Sequence, residues 1–427
     1  MSGTLTTGKL VLTNTQTNQD AFDRLRVSNP NTLCELKSTI GKLPFVIDEM
    51  LVGAGATSVA ILDNSYIQMG VTGLAGATGK VIIQSYEYVP YQPGKSKLMI
   101  FSAVLEAQQG GITGVISRIG CFDSYLEKTI VPGTGNGCFF ELDNKTLYTV
   151  IRNNDVDNKV AQTAWNYDKF DGTGPSGFTV NDFSKARILA IDQEWLGVGR
   201  VRFGFFINGS FHLGHSYNHF GDDGITSPYT KTAKLPVRHE ITSTSSNYAE
   251  MRMICSSVIS EGGFEPSGVS FSIGQRTGVS VGSTIVPIIS IKLRETEPFN
   301  HKTLILKAMS VLNPTANRGT QWDIYIFPTV DNIVGGTWLD VDTANSFSQY
   351  NNSATGITGL STGIIVDSGY TDLTNIAVYN YSKYLSSPLV NSGIAGRSKV
   401  LTLACARVST GGQNPTINGS LSWIEID

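Results

Sequence analysis

The sequence predicts an all-β protein: antiparallel β-sandwich or jelly-roll-like domains preceded by an extended N-terminal arm. Two observations carry that expectation. Short apolar runs, many alternating with period two and bounded by Gly, Pro, Asn and Asp, recur along most of the chain, whereas helical 3.6-residue periodicity is scarce. The composition is also rich in turn formers, with 45 glycines among 427 residues.

The elements follow in order. Residues 1–28 form the expected arm, in which "AFDRLRVS" alternates Phe22, Arg24 and Arg26 on one side with Asp23, Leu25 and Val27 on the other. Such a segment can add to a sheet edge through its backbone while its guanidinium groups seek carboxylates or carbonyls. Pro30 favours extension at Asn29 and ends the run. Two placements fit: the first strand of the chain's own domain, or an arm docked on a neighbouring subunit.

Residues 29–265 are expected to form a large β-sandwich domain, with strands in "GKVIIQSYEYVPY", "SKLMIFSAVLEA" and "TLYTVIR". The clearest hairpin is Gly199 to His215, where Asn208 and Gly209 supply the positive-φ pair of a two-residue turn between Phe-rich arms. In "DFSKARILAIDQEWLG", Asp182 could cap a helix, but Ile188, Leu189, Ile191 and Trp195 fit a strand at least as well.

The Gly-rich stretch Ser260 to Ser272 separates this domain from a C-terminal β-sandwich over residues 266–427, with strands in "TIVPIISIKLRE", "HKTLILKAMSVL", "QWDIYIFPTV", "KVLTLACARVS" and "GSLSWIEID". The polar segment Ser348 to Gly363 is expected to be a surface loop or edge.

Charge bounds the partners. Charged residues make up 16% of the chain and the net charge is −3, so no basic footprint marks nucleic acid or an anionic membrane. No apolar run approaches the ~20 residues of a membrane span, and the N-terminus lacks a secretory pattern. Five scattered cysteines (Cys34, Cys121, Cys138, Cys255, Cys405) with no C-x-x-C pair read as reduced, mostly buried thiols.

Sites with chemistry are few. His212, His215 and His219 invite a zinc reading, but in a regular strand residues 212 and 215 face opposite ways unless a bulge reunites them. "GVSVG" places Ser280 in a G-x-S-x-G match, yet strand rather than helix is expected after it, unlike a nucleophile elbow. "GLAGATGK" misses the phosphate-loop spacing at Leu74. Asp155 and Asp157 in "NNDVDN" lack the Gly and Glu of a calcium loop, so a solvated turn is expected. Asp222 and Asp223 are adjacent carboxylates without a defined cleft. The expectation is therefore no catalytic residue, no metal and no cofactor. Trp165, Tyr167, Trp338 and Tyr370 are the aromatics that would stack on sugar rings if the surface binds glycan.

"DAFDRLRVSNPNTL" resembles the A-F-G-R-L-R-V-S-x-P-x-T-L motif near the N-termini of virion structural proteins of tailed phages and some large DNA viruses, with Asp23 in place of the usual Gly. "EWLGVGRVRFGFFINGSFHLGHSYNH", "LPVRHEI", "MICSSVISEGGFEPSG" and "TIVPIISIKLR" are similar to later blocks of that family in the same order, so the resemblance touches much of the first 295 residues. It implies a non-enzymatic virion component in tail, baseplate, fibre or head surface, assembled in the host cytoplasm. The expected partners are copies of itself, with a homotrimer as one arrangement, other virion proteins, and a host surface glycan, but no nucleic acid and no membrane insertion. The expected assembly residues are Phe22, Arg24, Leu25, Arg26 and Val27. A glycan-binding receptor module is the alternative reading, and a surface-polysaccharide hydrolase a third.

Overall fold

Alternating apolar and polar side chains give a strand one buried face, and nearly every predicted run in the chain resolves into such a strand in the computed structural model. The structure describes residues 3–6, 9–12, 30–73, 78–108, 111–124, 135–219, 226–263, 265, 267–296, 299–314, 319–371, 377–380, 389–408 and 413–426. The expected arm residues Phe22, Arg24, Leu25, Arg26 and Val27 lie outside the described residues, as do residues 74–77 and Asp222 and Asp223. The protein is all-β and antiparallel, with only short 3-10 turns as helix among the described residues. These residues divide into two compact units, one up to residue 263 and the other from residue 265 onward.

The first unit is a sandwich of two large sheets. The seven-stranded sheet runs Val156–Ala161, Thr146–Asn153, Gly137–Asp143, Val115–Phe122, Leu235–Ser243, Gly79–Val89, Ile47–Val52. The eight-stranded sheet runs Ser210–Tyr217, Val201–Ile207, Arg187–Gln193, Lys97–Val104, Ala249–Glu261, Tyr66–Val71, Thr57–Ile61, with Pro30–Lys37 beside the second half of Ala249–Glu261. Their facing side chains, among them Phe101, Ile119, Phe140, Phe203, Phe205, Val237 and Met251, form one buried core. Phe140 meets Phe203 edge-on at 5.2 Å, and Phe170 meets Phe205 edge-on at 5.0 Å. Burial of each such side chain stabilises by about 1.5–3 kcal/mol.

The Phe-rich hairpin forms where the Asn-Gly pair predicts it. Ile207 pairs with Ser210, and Asn208 and Gly209 adopt φ of 52° and 80°. Phe206 and Phe211 face each other across the strands, while Phe203 and Phe205 enter the core. The Asp182 segment leads into the strand Arg187–Gln193, and the Asp182 carboxylate accepts the Ser184 N–H in a local turn.

The second unit is also a sandwich. One sheet orders Val269–Gly274, Thr416–Ile426, Thr303–Leu312 and Ala377–Asn380, with Val279–Ser280 and Leu389–Val390 on the flanks. The other orders Leu339–Asp340, Ser348–Asn351, Val286–Leu293, Val400–Arg407, Thr320–Phe327 and Ile364–Thr371. Trp322 and Trp423 are fully buried. The segment from Ser348 to Gly363 departs in part from a plain loop: Ser348–Asn351 is a paired strand inside the second sheet, while Leu360–Thr362 is a 3-10 turn. All five cysteines are free thiols, and all but Cys255 are buried.

Candidate functional site

Two polar constellations stand out in the first unit. One is closed around two buried carboxylates, with Lys159 at its solvent rim, and the other is open.

The closed one lies on the face of the seven-stranded sheet opposite the core. Cross-strand register puts Arg118 opposite Glu141 on one side and Glu240 on the other. Arg118 donates to Glu141 at 2.7 Å and to Glu240 at 2.6 Å; Lys159 reaches Glu141 at 2.5 Å, and Arg238 pairs with Glu240. Arg238 also lies over the Phe122 ring at 5.2 Å. Burial alone would raise the Glu240 carboxyl, but Arg238 and Arg118 outweigh it and hold the group well below the usual carboxylate range. Glu141 and Glu240 are thus charge-neutralised and buried. This arrangement fastens four strands together; a pair of carboxylates acting on a glycosidic bond would need one of them protonated and both in reach of substrate.

The open constellation is a cleft of about 780 Å³ beside the hairpin of Thr146–Asn153 and Val156–Ala161. Asn154 and Asp155 form the two-residue turn with φ of 51° and 62°, which short polar side chains tolerate. Asp155 is tied down at both ends: its N–H donates to the Gly135 carbonyl at 2.8 Å and its carboxylate accepts the Gly135 N–H at 2.9 Å. Arg152 grips Asp157 with two hydrogen bonds of 2.7 and 3.0 Å and lies over the Phe139 ring at 4.9 Å. The two aspartates therefore serve different protein partners, in keeping with a structural turn rather than a calcium loop. The opposite wall carries Tyr229 and His219, stacked at 4.1 Å. His219 Nδ1 donates to the Gly199 carbonyl at 2.8 Å, and the Tyr229 hydroxyl accepts from Gln193 at 3.2 Å. Asn153, Asn154 and Asn158 line the cleft, and their side-chain amides make no hydrogen bond among the described residues. Fixed aromatic walls and three uncommitted carboxamides suit a ligand bearing hydroxyl groups.

The histidines require a correction. Register runs Phe205 to His212 and Gly204 to Leu213, then jumps to Phe203 opposite His215, so Gly214 is a bulge. The bulge turns His212 and His215 to the same face, against the parity of a regular strand. They are nevertheless engaged separately: His212 packs edge-on to Phe178 at 5.2 Å, while His215 accepts the Asn166 N–H and packs edge-on to Tyr217. Burial pushes the His215 imidazole down to about 4. Among the described residues no three His, Cys, Asp or Glu side chains converge on a metal-sized point.

The other expected sites are dispersed. Ser280 is exposed in a two-residue strand paired with Thr416, not at a strand-to-helix turn. Trp165 is not a surface platform: it is 3% exposed and packs edge-on to Phe170, and a side chain at Gly214 would collide with its ring. Trp338 is partly buried under the Lys292 ammonium group, at 5.3 Å, in the second unit. Tyr167 and Tyr370 are exposed and belong to different units. The cleft itself escaped the sequence reading because its walls come from residues 151–158 and from His219 and residues 226–229, joined only by folding.

No protein-family model matches the chain, and no curated protein sequence matches it. Among solved structures, the chain is similar to an endo-β-1,4-glucuronan lyase from Trichoderma reesei at 10% identity and a TM-score of 0.31, covering 56% of this chain and 96% of that one. It is similar to peanut lectin at 11% identity and a TM-score of 0.32, over 55% and 98% of the two chains. A protein of unknown function from Shewanella oneidensis MR-1 aligns at 7% identity and a TM-score of 0.35, over 58% and 92%. Likenesses at these scores carry no argument about activity or ligand.

Proposed function

We propose that the chain is a virion structural component that acts by assembling with copies of itself and with other virion proteins. One observation supports this most: the edge strand Ile364–Thr371 of the second unit. It pairs only with Thr320–Phe327 among the described residues. A bulge at Val366 breaks its alternation, and Ile364, Ile365, Val366 and Tyr370 are 38%, 49%, 39% and 69% exposed. The strand contains no Lys, Arg or Pro, and Asp367 is its only charge. Edges of chains that stay apart are ordinarily shortened, charged, bulged or covered; this one keeps eight residues and exposed aliphatic side chains, with the Val366 bulge and Asp367 as its only such devices. The other edge of the same sheet is guarded by shortness and charge: Leu339–Asp340 is two residues long, and Asp340 is bound by Arg294 and Gln349. An eight-residue edge exposing three aliphatic side chains and Tyr370 suits strand pairing with a second copy, and the N-terminal segment with Phe22, Arg24, Leu25, Arg26 and Val27 supplies the further assembly arm.

Sedimentation of the full chain tests this reading. Concentration-dependent oligomers that Ile365→Lys disperses are the expected result; a monomer at all accessible concentrations refutes it. A particle map then gives the position in tail, baseplate, fibre or head.

A second reading, host-glycan attachment, is favoured by the uncommitted amides of Asn153, Asn154 and Asn158. Titrating the protein with neutral host-surface oligosaccharides tests it: binding weakened by Asn153→Ala with Asn158→Ala supports the cleft, and binding untouched by that pair removes it.

A further inference from the structure

We infer that Asn208 is a site of spontaneous deamidation, the chemical co-reactant being water. The chain holds three Asn-Gly pairs, at Asn136–Gly137, Asn208–Gly209 and Asn418–Gly419. The reaction needs a backbone nitrogen free to swing onto the preceding side-chain carbonyl, and glycine is the residue that obstructs that swing least. The Gly209 nitrogen bonds to Cγ of Asn208, the Cγ–Nδ2 bond breaks and ammonia leaves. Water then opens the succinimide at the γ-carbonyl to give aspartate, or at the α-carbonyl to give isoaspartate.

The fold separates the three sites. Asn208 and Gly209 are exposed at a hairpin tip, and a side chain placed at Gly209 would meet nothing within 4 Å. The Gly209 N–H has no partner among the described residues. Asn136 is 2% exposed; its amide oxygen accepts the Lys231 N–H at 3.1 Å, and a side chain at Gly137 would collide with Phe122. The Asn418 amide donates to the carbonyls of Gln275 and Arg276 at 3.0 and 3.2 Å, and Gly419 sits inside a paired strand against Leu403. The last two pairs are held by both the side chain and the crowded glycine.

The consequence is local. Isoaspartate adds a methylene to the backbone of a two-residue turn whose length fixes strand register, so Phe206 and Phe211 no longer meet squarely. Either product adds a negative charge at the tip.

The test is peptide mapping of the intact folded protein after incubation at mildly alkaline pH, with isoaspartyl methyltransferase as the probe for isoaspartate. The expected result is an acidic form that accumulates with time, its modification localised to Asn208 within Phe203–Lys231, while Asn136 and Asn418 stay unchanged. Asn208→Gly, which keeps a turn residue suited to positive φ, should abolish that acidic form. Conversion of Asn136 or Asn418 at a rate equal to or above that of Asn208 overturns the inference, as does an Asn208 that persists while the same sequence converts as a free peptide.

Discussion

On the outer face of the seven-stranded sheet, Arg118, Glu141, Lys159, Arg238 and Glu240 find their counter-charges within their own unit. The Ile364–Thr371 edge has one strand neighbour among the described residues and exposes the aliphatic side chains of Ile364, Ile365 and Val366. The first region is chemically closed, so damage to it should appear as lost stability. The second is open, so damage should appear as lost association with the fold intact. That difference separates what holds the chain together from what the chain offers to others.

The largest effect should come from breaking the closed region. Glu240→Gln takes the carboxylate from the buried Arg238 guanidinium and one of two carboxylates from Arg118, and should destabilise by about 3–5 kcal/mol, measured by denaturant unfolding. A loss comparable to that of an exposed ion pair would mean that the network is solvated.

A smaller loss is expected at the Phe-rich hairpin. Gly209 has φ of 80° with open space around it, so Gly209→Val costs backbone strain alone. About 1–3 kcal/mol is expected, and an unchanged melting temperature would show that the turn adjusts without cost.

Acid should act on the first unit in two stages. Burial holds the His239 imidazole down to about 3, with its Nε2 engaged by the Ser256 hydroxyl at 2.8 Å. Its unfolded value is about 6.5, so the unfolded chain gains a proton that the folded chain refuses, and stability falls as pH drops from there toward about 3. The depressed Glu240 adds a second loss below about 4.3, the unfolded carboxylate value, as the charge favouring its arginine partners is titrated. Melting temperatures across this range should therefore decline, and His239→Gln should reduce the first stage to the share contributed by His215, which burial holds down to about 4, while leaving the second.

Much of the architecture was legible because it depends on local periodicity. The runs around Val81, Phe101 and Leu403 alternate or stay apolar between turn residues, and Asn208–Gly209 announces its hairpin. The bulge at Gly214 was not legible, because one extra residue leaves no compositional trace, and with it went the facing of His212 and His215. Trp165 looked like a surface platform because sequence does not show that Gly214 leaves room for its ring. The edge Ile364–Thr371 was passed over although "IIVDSGYT" carries a readable signal, three consecutive β-branched residues with Asp367 as the only charge and no proline. The cleft was invisible because no local pattern brings Asn153 and Asn158 to Tyr229.

The smallest stability effects should come from the open region and the arm. Arg24→Ala with Arg26→Ala should leave the melting temperature unchanged and reduce incorporation into particles, measured by co-sedimentation of the variant with assembled particles. Normal incorporation would remove the arm from the account.

The most direct measurement is sedimentation equilibrium of the full chain beside Ile365→Lys, with a melting curve for each. At a surface position the substitution should change stability by no more than about 0.5 kcal/mol. The account predicts an oligomer for the parent chain and a monomer of equal thermal stability for the variant. An oligomer that survives the lysine would contradict it.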